Sequence, residues 1–332
     1  MANLKSVGIL GIGSYVPEKI VTNHDLEKIM DTSDKWIRER TGIRERRIAK
    51  DGEATSDLAA RAAEKAIQDA GISAEEIDLI IVATVTPDMP FPSVACIVQD
   101  KLKASRAVAF DLTAVCSGFM YGIVTGSAFI QAGTYRKVLV IGAETLSKIT
   151  DFTDRNTAIL FGDGAGAVVL GEVPSGYGIR GVYLGSDGAG GDLLKVPAGG
   201  SRQPASAETV GNRLHYIHMD GNEVFKFAVK VMGEAAKKAL EHAGFTASDV
   251  DFLVPHQANM RIIQSAAKRL GLPMEQVVVN VDKYGNTSAA SIPIALDEAV
   301  KSGRIKNDDV IVLVGFGGGL TWGASVLKWY KE

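Results

Sequence analysis

Cys116, His256 and Asn286 are the residues whose types and settings can carry covalent chemistry in this chain. Each stands in a loop directly after a short apolar run: Cys116 after Ala107 to Asp111, His256 after Leu253-Val254-Pro255 within PHQAN, and Asn286 within DKYGNTSAAS. In α/β sheets ligands gather beyond the carboxyl ends of strands, so these loops are where reactive groups would meet a substrate. Cysteine attacks as the thiolate, which a thiol of pKa ~8.5 supplies only to a few per cent at neutral pH. The apolar, glycine-punctuated stretch Ser117 to Ala132 predicts a helix that begins at Cys116. Its unpaired N–H groups and a neighbouring His are expected to draw the thiol down towards ~7. Position alone leaves a small core residue as an equal reading of Cys116.

The remaining candidates are weaker. Cys96 falls in SVACIVQDKL, an amphipathic helix with no polar partner, and is expected to pack in the core. His24, His215, His218 and His242 lie in polar or helical surroundings. His215 and His218 suggest a metal pair, but no Cys or acidic group completes a ligand set, and no metal is expected. Gly8-Ile-Leu-Gly-Ile-Gly lacks the spacing of a dinucleotide fingerprint and reads as packing glycine. Gly317, Gly318 and Gly319 follow an apolar strand, where a bare backbone can bring an N–H against a bound ligand.

The elements that must position these residues repeat. Ala62 to Ile80 and Ala235 to Leu253, 173 residues apart, match at eight of nineteen positions, among them Gly71/Gly244 and Asp78/Asp251. Each copy reads as a helix closed by glycine, an acidic turn and an apolar strand, Ile77 to Val85 or Val250 to Pro255. The echo continues through Ala109-Phe-Asp and Asn280-Val-Asp, and ends in Phe161-GDGAGAVVL and Phe316-GGGLTWGASVL. The expected architecture is α/β: two duplicated halves, 1–174 and 175–332, with mixed sheets covered on both faces. An offset near 171 makes the loop of Asn286 the counterpart of the loop of Cys116. A pseudo-two-fold axis would then bring a nucleophile from one half to a His and an amide from the other.

Composition bounds the function class. The 332 residues are 46% apolar and 23% charged with 36 glycines, as in a globular chain with a large core. A net charge of -3 implies no general affinity for nucleic acid. No apolar run reaches the ~18 residues of a membrane span and Met1 to Tyr15 is unlike a signal peptide, so a cytoplasmic protein with two reduced thiols is expected.

The chain resembles the thiolase-like condensing enzymes, and most closely the β-ketoacyl-acyl carrier protein synthase III family. The resemblance runs over nearly the whole chain, through TSDKWIRERTGIRERRIA (32–49), AVCSGF (114–119), DRNTAILFGDGAGAVVL (154–170), VPHQANMRI (254–262), GNTSAAS (285–291) and FGGGLTWG (316–323). It implies a five-layer α-β-α-β-α fold and a homodimer. It implies that Cys116 takes the acyl group of a short acyl-CoA, acetyl-CoA being the expected primer, with the N–H groups of Cys116 and Gly318 as the oxyanion hole. Malonyl-acyl carrier protein would then lose CO2, its enolate held by His256 and Asn286, and attack the acyl-Cys, with no cofactor. By the same resemblance Trp36 and Arg155 sandwich adenine, Thr32 and Arg40 reach CoA phosphates, Asn259 lines the pantetheine channel, and Phe91 and Phe316 bound the acyl pocket.

Acyl carrier protein is acidic, so a basic docking patch is expected, with Lys226, Lys230, Arg261, Lys268 and Arg269 as candidates. A thiolase proper would need a second cysteine near the chain end, which is missing here. A 3-hydroxy-3-methylglutaryl-CoA synthase would need a glutamate where Ala83-TVTPD stands. Plant-type polyketide synthases share Cys, His and Asn. A cysteine hydrolase and an idle binding module on the same fold are the readings from other classes.

Overall fold

The computed structural model describes residues 5–332. Two sheets carry the fold. The first has the order Val7–Tyr15, Gly164–Glu172, Val138–Glu144, Leu79–Ala83, Val108–Leu112, with the last three strands parallel and the first two antiparallel to their neighbours. The second runs Gly178–Ser186, Thr321–Lys328, Val310–Gly317, Phe252–Pro255, in the same sense. A counterpart of the fifth strand survives only as a parallel bridge between Leu253 and Val277.

Helices fill three layers around these sheets. Thr55–Asp69 and Val94–Leu102 cover the outer face of the first sheet, Gly221–Ala243 and Met260–Leu270 that of the second, and Gly118–Gln131 and Ser291–Lys301 lie between the two. The result is the five-layer α-β-α-β-α arrangement. Leu79–Ala83, sandwiched on both faces, is buried along its whole length, as its unbroken apolar run requires. The glycines near the N-terminus act in packing. A Cβ on Gly11 would lie 2.3 Å from Ala66 O and one on Gly13 2.5 Å from Ala66 N, so the bare strand lets the helix Thr55–Asp69 lie directly on it.

The repeat recurs in hydrogen bonds. Asp78 N–H donates to Lys137 O at 2.9 Å and its carboxylate accepts from Lys137 N–H at 3.0 Å. At an offset of 173, Asp251 N–H donates to Val310 O at 2.9 Å and its carboxylate accepts from Val310 N–H at 2.8 Å. Each aspartate thus clamps the entry of one strand onto the next, a reason for its identity in both copies. The same offset pairs Val115 with Ser288, which share a left-handed backbone at φ 49° and 47°. The counterpart of Cys116 is therefore Ala289, and Asn286 stands two residues earlier than an offset of 171 suggests.

Cys96 departs from its expected place. The helix Val94–Leu102 buries Val94, Ala95, Val98 and Leu102, and Cys96, off that face, is exposed. Among the described residues no helix is long and apolar enough to cross a membrane, and no group of three or more His, Cys, Asp or Glu is placed to hold a metal ion.

Candidate active site

The chain leaves the strand Val108–Leu112 and makes one tight turn, Val115–Ser117, before the helix Gly118–Gln131 begins. A left-handed valine costs about 1–3 kcal/mol and persists only where its surroundings hold it. Here the hydroxyls of Ser117 and Thr321, 2.8 Å apart, reach the Ala114 carbonyl at 2.8 and 3.0 Å and lash the turn to the second sheet. A Cβ on Gly317 would stand 2.6 Å from Cys116 N, so only glycine lets that strand run so close to the Cys116 N–H.

His256 ends the strand Phe252–Pro255 and donates its own N–H to Val314 O at 2.7 Å. A Cβ on Gly315 would lie 3.5 Å from both Cys116 O and His256 Cβ, which shows the two residues flanking one position of the strand between them. The His256 ring meets Phe316 edge-on at 5.5 Å, and its Nδ1 lies 2.6 Å from Ser291 Oγ. Asn286 donates its N–H to Leu160 O at 2.8 Å, and its Oδ1 accepts from Ser288 N–H at 2.9 Å. A backbone N–H can only donate, so that end of the amide is oxygen and the NH2 end remains free to donate. The turn Ser288–Ala290 packs against the turn of Cys116, and Ser291 touches His256. Cys116 and His256 thus flank Gly315, and the segment 286–291 that carries Asn286 packs against the turn of Cys116 and, through Ser291, touches His256.

Burial governs the electrostatics. Cys116 is 6% exposed, and burial pushes its thiol up to about 12; the Ser288 hydroxyl works against this and the Glu144 charge adds to it. Burial also pushes His256 down to about 3, so the imidazole is neutral and supplies no cation for a thiolate. The expected fall of the thiol towards 7 is not what this site produces. A rise from 9.0 to about 12 corresponds to about 4 kcal/mol in favour of the thiol, against at most ~2 kcal/mol from a helix N-terminus.

Sequence reasoning missed Glu144, Ser288 and Ser291. Glu144 is fully buried at the carboxyl end of its strand. Its Oε2 accepts from Thr86 Oγ1 at 2.6 Å, Val85 N–H at 3.1 Å and Thr84 Oγ1 at 3.2 Å, and its Oε1 accepts from Ser288 Oγ at 3.1 Å. Burial raises it to about 7. The signal was present: a lone carboxylate closes the apolar run VLVIGAE, and the strand-end rule that singles out Cys116 applies to it equally.

An apolar cavity of about 210 Å³ opens at Cys116, walled by Val85, Leu146, Ile149, Phe161, Leu194 and Ile217 among others. Phe316 sits beside His256 and is not among the residues lining this cavity. Phe91 is 85% exposed and stands apart from it in the single chain. Elsewhere, Arg40 and Arg155 stack on Trp36 with Cζ 4.5 and 5.3 Å from the ring centroid. Arg155 also donates to Asp31 O at 3.0 Å, so the expected Trp36–Arg155 pair is in contact, and an adenine between them needs this arginine to swing out. Thr32 Oγ1 is buried without a hydrogen-bond partner. Asn259 caps the helix Met260–Leu270 by accepting from Ile262 N–H at 3.0 Å, which leaves its NH2 group for a ligand. Lys226, Lys230, Arg261, Lys268 and Arg269 are all exposed on the two packed helices Gly221–Ala243 and Met260–Leu270, and Lys226 pairs with Glu223 at 2.6 Å.

Comparison with known proteins accords with this geometry. Residues 110–188 match the family profile described as 3-oxoacyl-[acyl-carrier-protein (ACP)] synthase III, and residues 240–329 match its C-terminal profile. The β-ketoacyl-[acyl-carrier-protein] synthase III of Caldanaerobacter subterraneus subsp. tengcongensis is 62% identical over 326 residues, covering 98% of both chains. That of Clostridioides difficile is 62% identical over 322 residues, covering 97% of this chain and 98% of the relative. The crystal structure of the synthase III of Aquifex aeolicus superposes with a TM-score of 0.90 at 48% identity, covering 97% of this chain and all of that one. With matches that span the turn of Cys116 and both sheets, this chain belongs to the 3-oxoacyl-[acyl-carrier-protein] synthase III family.

Proposed function

We propose that the protein condenses a short acyl-CoA with malonyl-acyl carrier protein to give 3-oxoacyl-acyl carrier protein, CoA and CO2, the step that initiates fatty acid synthesis. The observation that carries this reading is a buried cysteine lining an apolar cavity, with a neutral imidazole across Gly315 from it and, on the segment packed against its turn, an amide whose NH2 end is free. In the first half-reaction the Cys116 sulfur attacks the thioester carbonyl, the N–H groups of Cys116 and Gly318 receive the oxyanion, and the thiol proton ends on the departing CoA sulfur. In the second, the malonyl C–C bond breaks, its electron pair becomes an enolate, and CO2 leaves. The His256 and Asn286 N–H groups donate to the enolate oxygen. The enolate carbon then attacks the acyl-Cys carbonyl, and the released thiolate takes a proton from water. These steps balance with the two thioesters alone and call on no metal or redox cofactor.

Substrate binding follows the same reading. Trp36 and Arg155 hold adenine, Arg40 and the unpaired Thr32 hydroxyl take CoA phosphates, and Asn259 donates to pantetheine. The basic helix faces bearing Lys226, Lys230, Arg261, Lys268 and Arg269 receive the acidic carrier protein. The chain works as two duplicated halves, 1–174 and 175–332, in a cytoplasmic homodimer. Support for the dimer comes from Val108–Leu112, an edge strand whose Val108 is half-exposed, and from Met89 and Phe91, exposed at 45% and 85%, in the segment leading to Val94 and Ala95, whose N–H groups donate to Asp111 of that strand. The partner's Phe91 would close the acyl cavity, and Phe316 would bound it from the His256 side, favouring acetyl.

Intact mass after incubation with acetyl-CoA tests the proposal. One acetyl group is expected on wild-type protein and none on Cys116→Ala, and malonyl-acyl carrier protein should discharge it. An adduct that survives loss of Cys116, or free acetate as the product, would contradict it.

A further inference from the structure

The condensing reaction asks His256 to donate a hydrogen bond while neutral, and a neutral imidazole carries only one N–H. Which nitrogen bears it is set by the partner of the other. His256 Nδ1 lies 2.6 Å from Ser291 Oγ, and both residues are buried, at 1% and 2% exposure. The same oxygen accepts the Gln257 N–H at 3.3 Å. If Nδ1–H also donated to it, Ser291 would receive two bonds, and its own hydrogen would need a further acceptor. Among the described residues none other than Nδ1 is within reach of that hydrogen. A buried hydroxyl hydrogen without an acceptor is costly, so the arrangement that satisfies every group has Ser291 donating to Nδ1.

We propose that Ser291 is a positioning residue: its hydroxyl donates to His256 Nδ1 and so keeps the imidazole proton on Nε2, the nitrogen left without a protein partner. A carboxylate at Nδ1 would instead stabilise an imidazolium and make His256 a base. A hydroxyl does the reverse, because it holds Nδ1 as an acceptor and leaves Nε2–H as a neutral donor towards the enolate oxygen. Burial, which holds His256 far below neutrality in its titration, acts in the same sense. The backbone serves it too. Ser291 begins the helix Ser291–Lys301 between the two sheets, so its Cα is fixed by the packing that also fixes the loop of Asn286.

This inference rests on the condensing-enzyme reading for its consequence, though the tautomer can be read without any activity. The experiment is long-range nitrogen–proton NMR on histidine-labelled protein, with His256 assigned by its loss in His256→Asn. Wild-type protein is expected to show the neutral Nε2–H tautomer between about pH 6 and 8. Ser291→Ala is expected to give the Nδ1–H tautomer or a mixture and to slow malonyl decarboxylation by roughly tenfold or more, with acylation of Cys116 changed by less than about twofold. Ser291→Thr, which keeps the hydroxyl, is expected to retain tautomer and rate. An Nδ1–H tautomer in wild-type protein would overturn the inference with no variant needed. So would a Ser291→Ala protein in which neither tautomer nor decarboxylation moves. If wild-type protein shows the Nε2–H tautomer yet never decarboxylates malonyl-acyl carrier protein, the functional reading fails and the role of Ser291 in holding the proton stands.

Discussion

At the scale of the residue, Cys116 is a buried thiol whose pKa burial raises to about 12, so on the proposed mechanism its activation must come with substrate. A sulfur held as thiolate at rest would be alkylated at a rate that levels off above its pKa. Iodoacetamide labelling of Cys116 is therefore expected to rise through pH 9 without a plateau, and a plateau near pH 7 would show that the helix N-terminus outweighs burial. Gly317 makes a second demand, since a Cβ there would press on Cys116 N at 2.6 Å. Gly317→Ala is expected to shift the turn by a fraction of an ångström to about 1 Å. Cys116 acylation should fall about 100-fold at a stability cost of roughly 1–3 kcal/mol. Unchanged acylation kinetics would dissociate the N–H of Cys116 from catalysis.

At the scale of the element, two strand ends deliver buried groups with opposite pH linkage. Glu144 rises from an ordinary 4.5 to about 7 on folding, so over that window the folded protein holds a proton that the unfolded chain has lost. Stability from this group is full below about 4.5 and is lost as pH rises to about 7, by about 3 kcal/mol in total. His256 falls from 6.5 to about 3, so there the unfolded chain holds the extra proton and stability rises with pH across that window. Between about 4.5 and 6.5 the two oppose each other. Urea unfolding of Glu144→Gln is expected to show stability rising more steeply with pH than wild type between 5 and 7, and curves that stay parallel would place the titration elsewhere.

These elements also show what sequence could reveal. Cys116, His256 and Asn286 stand out as candidates in the sequence because each lies in a strand-end loop, and two similar mixed sheets are legible from the repeat, whereas their stacking into five layers is implied by the family resemblance alone. Glu144 is marked by its position at a strand end, but its partner Ser288, like the partner of Ser291, lies far away in sequence and is met only once the sheets are apposed. The exposure of Cys96 is not legible in the sequence, because a small thiol on an amphipathic helix reads as apolar until the buried face is known.

At the scale of the whole molecule, the edge strand Val108–Leu112 and the exposed Phe91 and Met89 leave an apolar margin that a second copy would cover. Sedimentation is expected to give a dimer for wild-type protein and a weakened one for Val108→Asp, whereas a wild-type monomer at all concentrations would remove the partner's Phe91 from the acyl cavity. On the proposed mechanism labour is divided between the halves: Cys116 in the first would accept the acyl group, and His256 and Asn286 in the second would drive decarboxylation. The most direct test measures, in single turnovers, acetyl transfer to Cys116 and CO2 release from malonyl-acyl carrier protein, for wild type, His256→Ala and Asn286→Ala. Both variants are expected to keep acetyl transfer within about tenfold and to lose CO2 release by about 100-fold or more. Equal loss of both steps, or CO2 release that persists in both variants, would contradict it.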